Sequence, residues 1–158
     1  MSTRSNIAIK LREEDCKSGV QRFGEEFHGP YLQVYCHFDG YPNGVGRDLI
    51  EKKFTYDEAL EFILRGDRSS TDDGTSYYEW RDEAYENVKP KVMTVPNQEQ
   101  EYLYLLEENE ETGMMDVYQF IGVAVPKLMF KRIYLNKDNE IEYDDKNPLY
   151  IYNTNGIF

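Results

Sequence analysis

The stretch Tyr31-Leu-Gln-Val-Tyr-Cys-His-Phe-Asp39 decides how this chain reads. Leu32, Val34, Cys36 and Phe38 fall on one side, and Tyr31, Gln33, Tyr35, His37 and Asp39 on the other. A period of two with one apolar side predicts a β-strand that seats its greasy face inward. Directly after it comes Gly40-Tyr-Pro-Asn-Gly-Val-Gly46. Pro42 has no N–H to give a ladder and Asn43-Gly44 favours positive φ, so the strand must end there. Helical spacing then takes over, with Val45, Leu49 and Ile50 roughly on one face.

Outward from this core the same tests apply. On the N-terminal side, Ile7, Ile9 and Leu11 alternate with Ala8 and Lys10 and predict a half-buried strand. Glu13 to Pro30 is polar and glycine-containing and reads as a long loop or insertion. On the C-terminal side, Thr55 and Glu58 form a capping box ahead of the stripe Leu60, Ile63, Leu64, and Gly66 is a natural stop. Arg68 to Thr75 is turn-rich; Tyr77 to Trp80 suits a strand, and Asp82 to Asn87 suits a loop or one helical turn. Strands are expected at Val92 to Val95, Tyr102 to Leu106 and Val117 to Ile121, the last two joined by an acidic loop, Glu107 to Gly113. Ile133 to Leu135 and Glu140 to Tyr143 flank the hairpin loop Asn136 to Asn139, and Leu149 to Tyr152 is a final strand. The sum is one α+β domain over residues 1–158, a mainly antiparallel sheet with two short helices packed on one face.

Composition narrows the function. Thirty acidic residues face 18 basic ones, a net charge of −12. Such a chain repels nucleic-acid backbones, which argues against direct nucleic-acid binding and for either plain solubility or a basic protein partner. Cys16 and Cys36 stand alone, without a C-x-x-C pair, as in reducing compartments. No run approaches the about 20 apolar residues of a membrane helix, and Met1 to Asn6 shows no apolar signal region. The sequence therefore predicts a cytoplasmic protein.

The polar side of the strand and the glycine turn form the strongest candidate site. Backbone N–H groups at a helix start, with glycines permitting close approach, can cradle a phosphate. A nucleotide-type ligand there would meet Tyr35, His37, Asp39, Gly40, Tyr41, Asn43, Gly44 and Gly46, with Arg81 and Lys89 supplying positive charge. The spacing matches neither G-x-G-x-x-G nor the P-loop, and turn glycines more often serve the backbone itself. His37 and Asp39 lie two apart and offer two ligands or a base with its orienter. No third metal ligand has a diagnostic spacing and no nucleophile completes a triad, so no catalytic residue, metal or cofactor is assigned. A second candidate is the acidic run, in which Glu107, Glu108, Glu110 and Glu111 would face a basic partner.

Two segments carry a resemblance. Ser2-Thr-Arg-Ser-Asn-Ile-Ala-Ile-Lys10 and Tyr35-Cys-His-Phe-Asp-Gly-Tyr-Pro-Asn-Gly-Val-Gly46 resemble an uncharacterised family of small phage and prophage proteins with the motifs T-R-S-x-I-A and Y-x-H-W-D-G-Y-P-x-x-V-G. Leu64 to Ser70, Tyr78 to Asp82 and Glu101 to Leu105 are similar to its later segments. The likeness spans residues 2–120, leaving 121–158 as a C-terminal extension; Phe38 stands where the family has tryptophan, and the loop Glu13 to Pro30 is longer. What the resemblance implies is an accessory gene product, acting in the host cell by binding host machinery. Combined with the charge, it leads to an anti-defence or inhibitory protein that holds a basic host protein; the alternative is a protein that sequesters a nucleotide-type ligand.

Overall fold

The computed structural model describes residues 2–18, 30–71, 77–78 and 83–152. Among the described residues eight strands form one mixed sheet: β1 (Ser5–Lys10), β2 (Tyr31–Cys36), β3 (Lys91–Met93), β4 (Tyr102–Glu108), β5 (Met115–Ala124), β6 (Lys127–Leu135), β7 (Ile141–Tyr143) and β8 (Leu149–Tyr152). Their order is β3-β2-β1-β4-β5-β6-β7, and β8 pairs with β6 beside β7. Every pairing is antiparallel except β1 with β4. The helices are short: α1 (Glu13–Ser18), α2 (Arg47–Lys52), α3 (Tyr56–Leu64) and α4 (Tyr85–Val88). The fold is thus α+β with a mainly antiparallel sheet.

Strand alternation sorts the side chains into two cores. Ile7, Ile9, Leu32, Val34, Cys36, Tyr104, Leu106, Val117 and Ile133 share one cluster with Val45 and Leu49 of the α2 region and Tyr56, Ala59, Phe62, Ile63 and Leu64 of α3. Residues of the opposite parity, Ala8, Tyr31, Leu103 and Leu105, form a second cluster with Val95, Leu128 and Phe130. The central strand β1 is therefore buried on both faces, and its exposed end is Lys10.

Several expectations change. Strand β2 stops at Cys36, because His37 and Phe38 donate their N–H groups to Arg68 and Ser69 rather than to a sheet neighbour. Phe38 therefore leaves the apolar row and is 47% exposed. The tyrosine side of β2 is not an open face either: Tyr31 is buried in the second core and Gln33 is buried as well. The region read as a loop from Glu13 begins with α1, whose first turn holds Glu13, Glu14 and Asp15 and so suits the helix dipole; residues 19–29, with His28, lie outside the described residues. Within the turn-rich segment, Arg68 is completely buried. Glu107 and Glu108 belong to β4, not to the acidic loop. Strand β6 begins at Lys127, six residues before the Ile133 at which the sequence reading starts it, although Leu128 and Phe130 already alternate there with Lys127 and Lys131.

Residues 121–152 are not peripheral to this sheet. Ile121 lies inside β5 at an irregularity between Phe120 and Gly122, Ile133 reaches the first core, and Leu128 and Phe130 close the second.

Candidate functional site

The glycine turn is a joint between the end of β2 and the sheet. From Pro42 to Gly46 it is already helical, as a single π-helical turn that leads straight into α2, with proline at the start where its missing N–H is harmless. Gly40 N–H bonds Thr3 O (2.9 Å), Gly44 N–H bonds Tyr41 O (2.9 Å) and Val45 N–H bonds Asp39 O (2.7 Å). Three donors that a phosphate would need are thus already used, two inside the turn and one on Thr3. A side chain at Gly44 would run into the carbonyl of Asp39, so close approach of backbone to backbone explains that glycine. Gly46 faces the Tyr104 ring and Ile133, and the Tyr104 hydroxyl donates to Gly40 O (2.6 Å).

Of the three polar residues beside the turn, Tyr35 and His37 stay together and Asp39 parts from them. Tyr35 is half-buried, and its hydroxyl lies 2.6 Å from Nδ1 of His37. The His37 ring also packs edge-on against Phe38, with centroids 4.5 Å apart, beside a hollow of about 380 Å³ lined by Ser69, Tyr78 and Glu83. Asp39 has φ 58° and turns away into solvent, where its carboxylate accepts from Tyr41 (3.3 Å). His37 and Asp39 share no hydrogen bond, so they do not form a base with its orienter. Asn43 accepts from Arg47 (3.1 Å), which also reaches Asn139 O (2.8 Å) and ties the turn to the β6–β7 hairpin. Lys89 pairs with Glu86 at 3.1 Å. Arg81 lies outside the described residues. Among the described residues no group of three or more His, Cys, Asp or Glu side chains is placed to hold a metal.

Leu64 to Ser70 proves to be a brace. Gly66 has φ 88° and its N–H closes α3 on Ile63 O. The Asp67 carboxylate accepts the Tyr35 N–H (2.9 Å). Arg68 lays its guanidinium between the rings of Phe62 (4.1 Å) and Tyr77 (4.7 Å) and donates to the carbonyls of Phe62 and Gly66. Burial pulls its pKa down to about 10, so it stays charged at neutral pH. The negative end of α3 and two ring faces offset the lost hydration. Cys36 packs beneath it, and burial pushes its thiol up to about 11, which makes it inert at neutral pH.

The acidic candidates gather elsewhere, where β1 ends beside β4. Arg12 grips Glu108 with two bonds, Nε to Oε1 (2.9 Å) and Nη2 to Oε2 (2.6 Å), and lies 4.3 Å over the Tyr56 ring. This grip holds the Glu108 carboxyl below its ordinary range, whereas burial pushes that of Glu107 up despite Lys10 at 3.6 Å. A groove of about 360 Å³ runs between them, lined by Glu13, Glu14, Glu107, Glu108 and Glu110 against Lys10 and Arg12. Glu110 is exposed on the β4–β5 turn, as is Glu111 beyond it. Sequence reasoning found Glu107, Glu108 and Glu110 but missed Glu13 and Glu14; their place at the head of a helix was the available signal.

Comparison with protein-family models, with curated proteins and with solved structures finds no match for this chain. Among the described residues no helix is long and apolar enough to cross a membrane.

Proposed function

We propose that this chain is a binding protein, an accessory product of a phage or mobile element, whose acidic end engages and inhibits a basic host protein concerned with defence or nucleic-acid handling. The observation that carries this reading is the groove at the β1–β4 end, where five carboxylates meet only two cations in a chain of net charge −12. A field of one sign concentrated in a groove steers an oppositely charged partner and raises its association rate. The resemblance of Thr3 to Ala8 and Tyr35 to Gly46 to phage and prophage proteins supports the choice of a host partner.

Tagged protein incubated with host lysate at about 50 mM salt should retain a basic protein and release it at about 500 mM, where the Debye length falls to about 4 Å and longer-range attraction is screened. The triple variant Glu13→Lys, Glu14→Lys, Glu110→Lys should lose that capture, and the purified partner's own activity should fall on adding wild type. Capture that ignores salt or survives the triple variant would sink the reading.

A further inference from the structure

The sheet face opposite α2 and α3 holds a cleft that the acidic end does not use. Asn6 on β1 and Gln33 on β2 are diagonal neighbours there, since Asn6 pairs with Tyr35 and Gln33 with Ala8. Both are more than nine-tenths buried, at 8% and 6% exposed. Between them they clasp the backbone of Asn97, in the segment that links β3 to β4. Asn97 N–H donates to Gln33 Oε1 (2.9 Å), and Asn97 C=O accepts from Asn6 Nδ2 (3.2 Å). A backbone N–H must face oxygen and a carbonyl must face N–H, so these two bonds fix which way each amide points.

Two polar groups are left over: Nε2 of Gln33, a donor, and Oδ1 of Asn6, an acceptor. Among the described residues neither has a hydrogen-bond partner, and neither is sealed away from the cleft that their residues line. Within side chains this buried, a donor and an acceptor that open onto one hollow and are met there only by solvent are available to a group that takes the place of that water. The cleft measures about 260 Å³ and is also lined by Tyr35, Asp67, Lys91 and Glu99.

We propose that this cleft binds a nucleobase-type heterocycle as the free base or the nucleoside. A nucleobase edge sets a carbonyl or ring nitrogen next to an N–H, the complement of the Gln33 donor and the Asn6 acceptor. The hollow suits a single flat ring system with its sugar, and Tyr35, on the same side of β2 as Gln33, offers an aromatic surface beside it. Charge selects against a phosphate, because the carboxyls of Asp67 and Glu99 outnumber the ammonium of Lys91. The site shares only Tyr35 with the residues expected around the glycine turn.

The test follows the side-chain amide signals of Gln33 and Asn6 by proton–nitrogen NMR while adenosine, inosine, cytidine or uridine is added to millimolar concentration, with uridine monophosphate and inorganic phosphate as charge controls. At least one nucleoside should shift both signals saturably, and the monophosphate should bind more weakly than its nucleoside. Gln33→Glu keeps the acceptor that holds Asn97 but replaces the free donor by an acceptor, and should weaken binding roughly tenfold or more. If that variant fails to fold, the wild-type titration decides by itself. No saturable shift with any of the four nucleosides, tighter binding of the monophosphate, or unchanged affinity in folded Gln33→Glu would overturn the proposal. The titration contains no protein partner, so its outcome is independent of the acidic groove.

Discussion

At Gly66 two constraints coincide on one residue. Its φ of 88° is a conformation that L side chains rarely adopt, and a Cβ placed there would strike the carbonyl of Val88. The left-handed conformation alone costs about 1–2 kcal/mol for a residue with a side chain. The collision adds to this, because the Val88 carbonyl is held by the Asp67 N–H (2.7 Å) and the Gly66 carbonyl by Arg68. Gly122 is the internal control: a Cβ there meets nothing within 4 Å, and its φ is ordinary. Urea denaturation should therefore show Gly66→Ala losing about 3 kcal/mol or more, while Gly122→Ala stays within about 0.5 kcal/mol of wild type. Equal losses would show that the brace yields more easily than its contacts suggest.

Helix α3 shows the element scale at its most local. Thr55 accepts the Glu58 N–H, and the Glu58 carboxylate accepts the Thr55 N–H (3.0 Å), so two orphan donors of the first turn are satisfied by one reciprocal pair. Thr55→Ala should cost about 1 kcal/mol in urea denaturation. The pH dependence has a definite sign. The bonds from Thr55 hold the Glu58 carboxyl below its ordinary value, so its contribution is present above the ordinary carboxylate range and disappears as pH falls through the depressed value. Glu58→Ala should accordingly destabilise at pH about 7 and lose its effect in strong acid; the same difference at both pH values would refute the pairing. By contrast, α1 carried no such punctuation. Its six residues begin with Glu13, Glu14 and Asp15, which read equally as solvated loop.

At the scale of the whole molecule the segment 121–152 contributes to both cores. Ile133 joins the cluster under α2 and α3, while Leu128 and Phe130 cover Ala8, Leu103 and Leu105 from the other side. A chain cut after Phe120 would expose both sets, and it should show poor amide dispersion and no cooperative urea transition. A dispersed spectrum from that fragment would instead support residues 121–158 as an extension of a self-sufficient domain. The two binding surfaces also belong to this scale. The groove joins Arg12 to Glu108 across 96 positions of sequence, and the amide cleft joins Asn6 to Asn97 across 91.

The chain announced most of its strands, the capping box, the stop at Gly66 and the break at Pro42 without help, because period, cap and turn residues act on their immediate neighbours. The tertiary structure alone decided that Tyr31 and Gln33 lie inside, that Arg68 is a buried brace, that the turn glycines serve backbone contacts, and that two amides are left half-satisfied. Burial and hydrogen-bond partnership are supplied by residues far along the chain, and no local pattern records which segment will arrive to provide them.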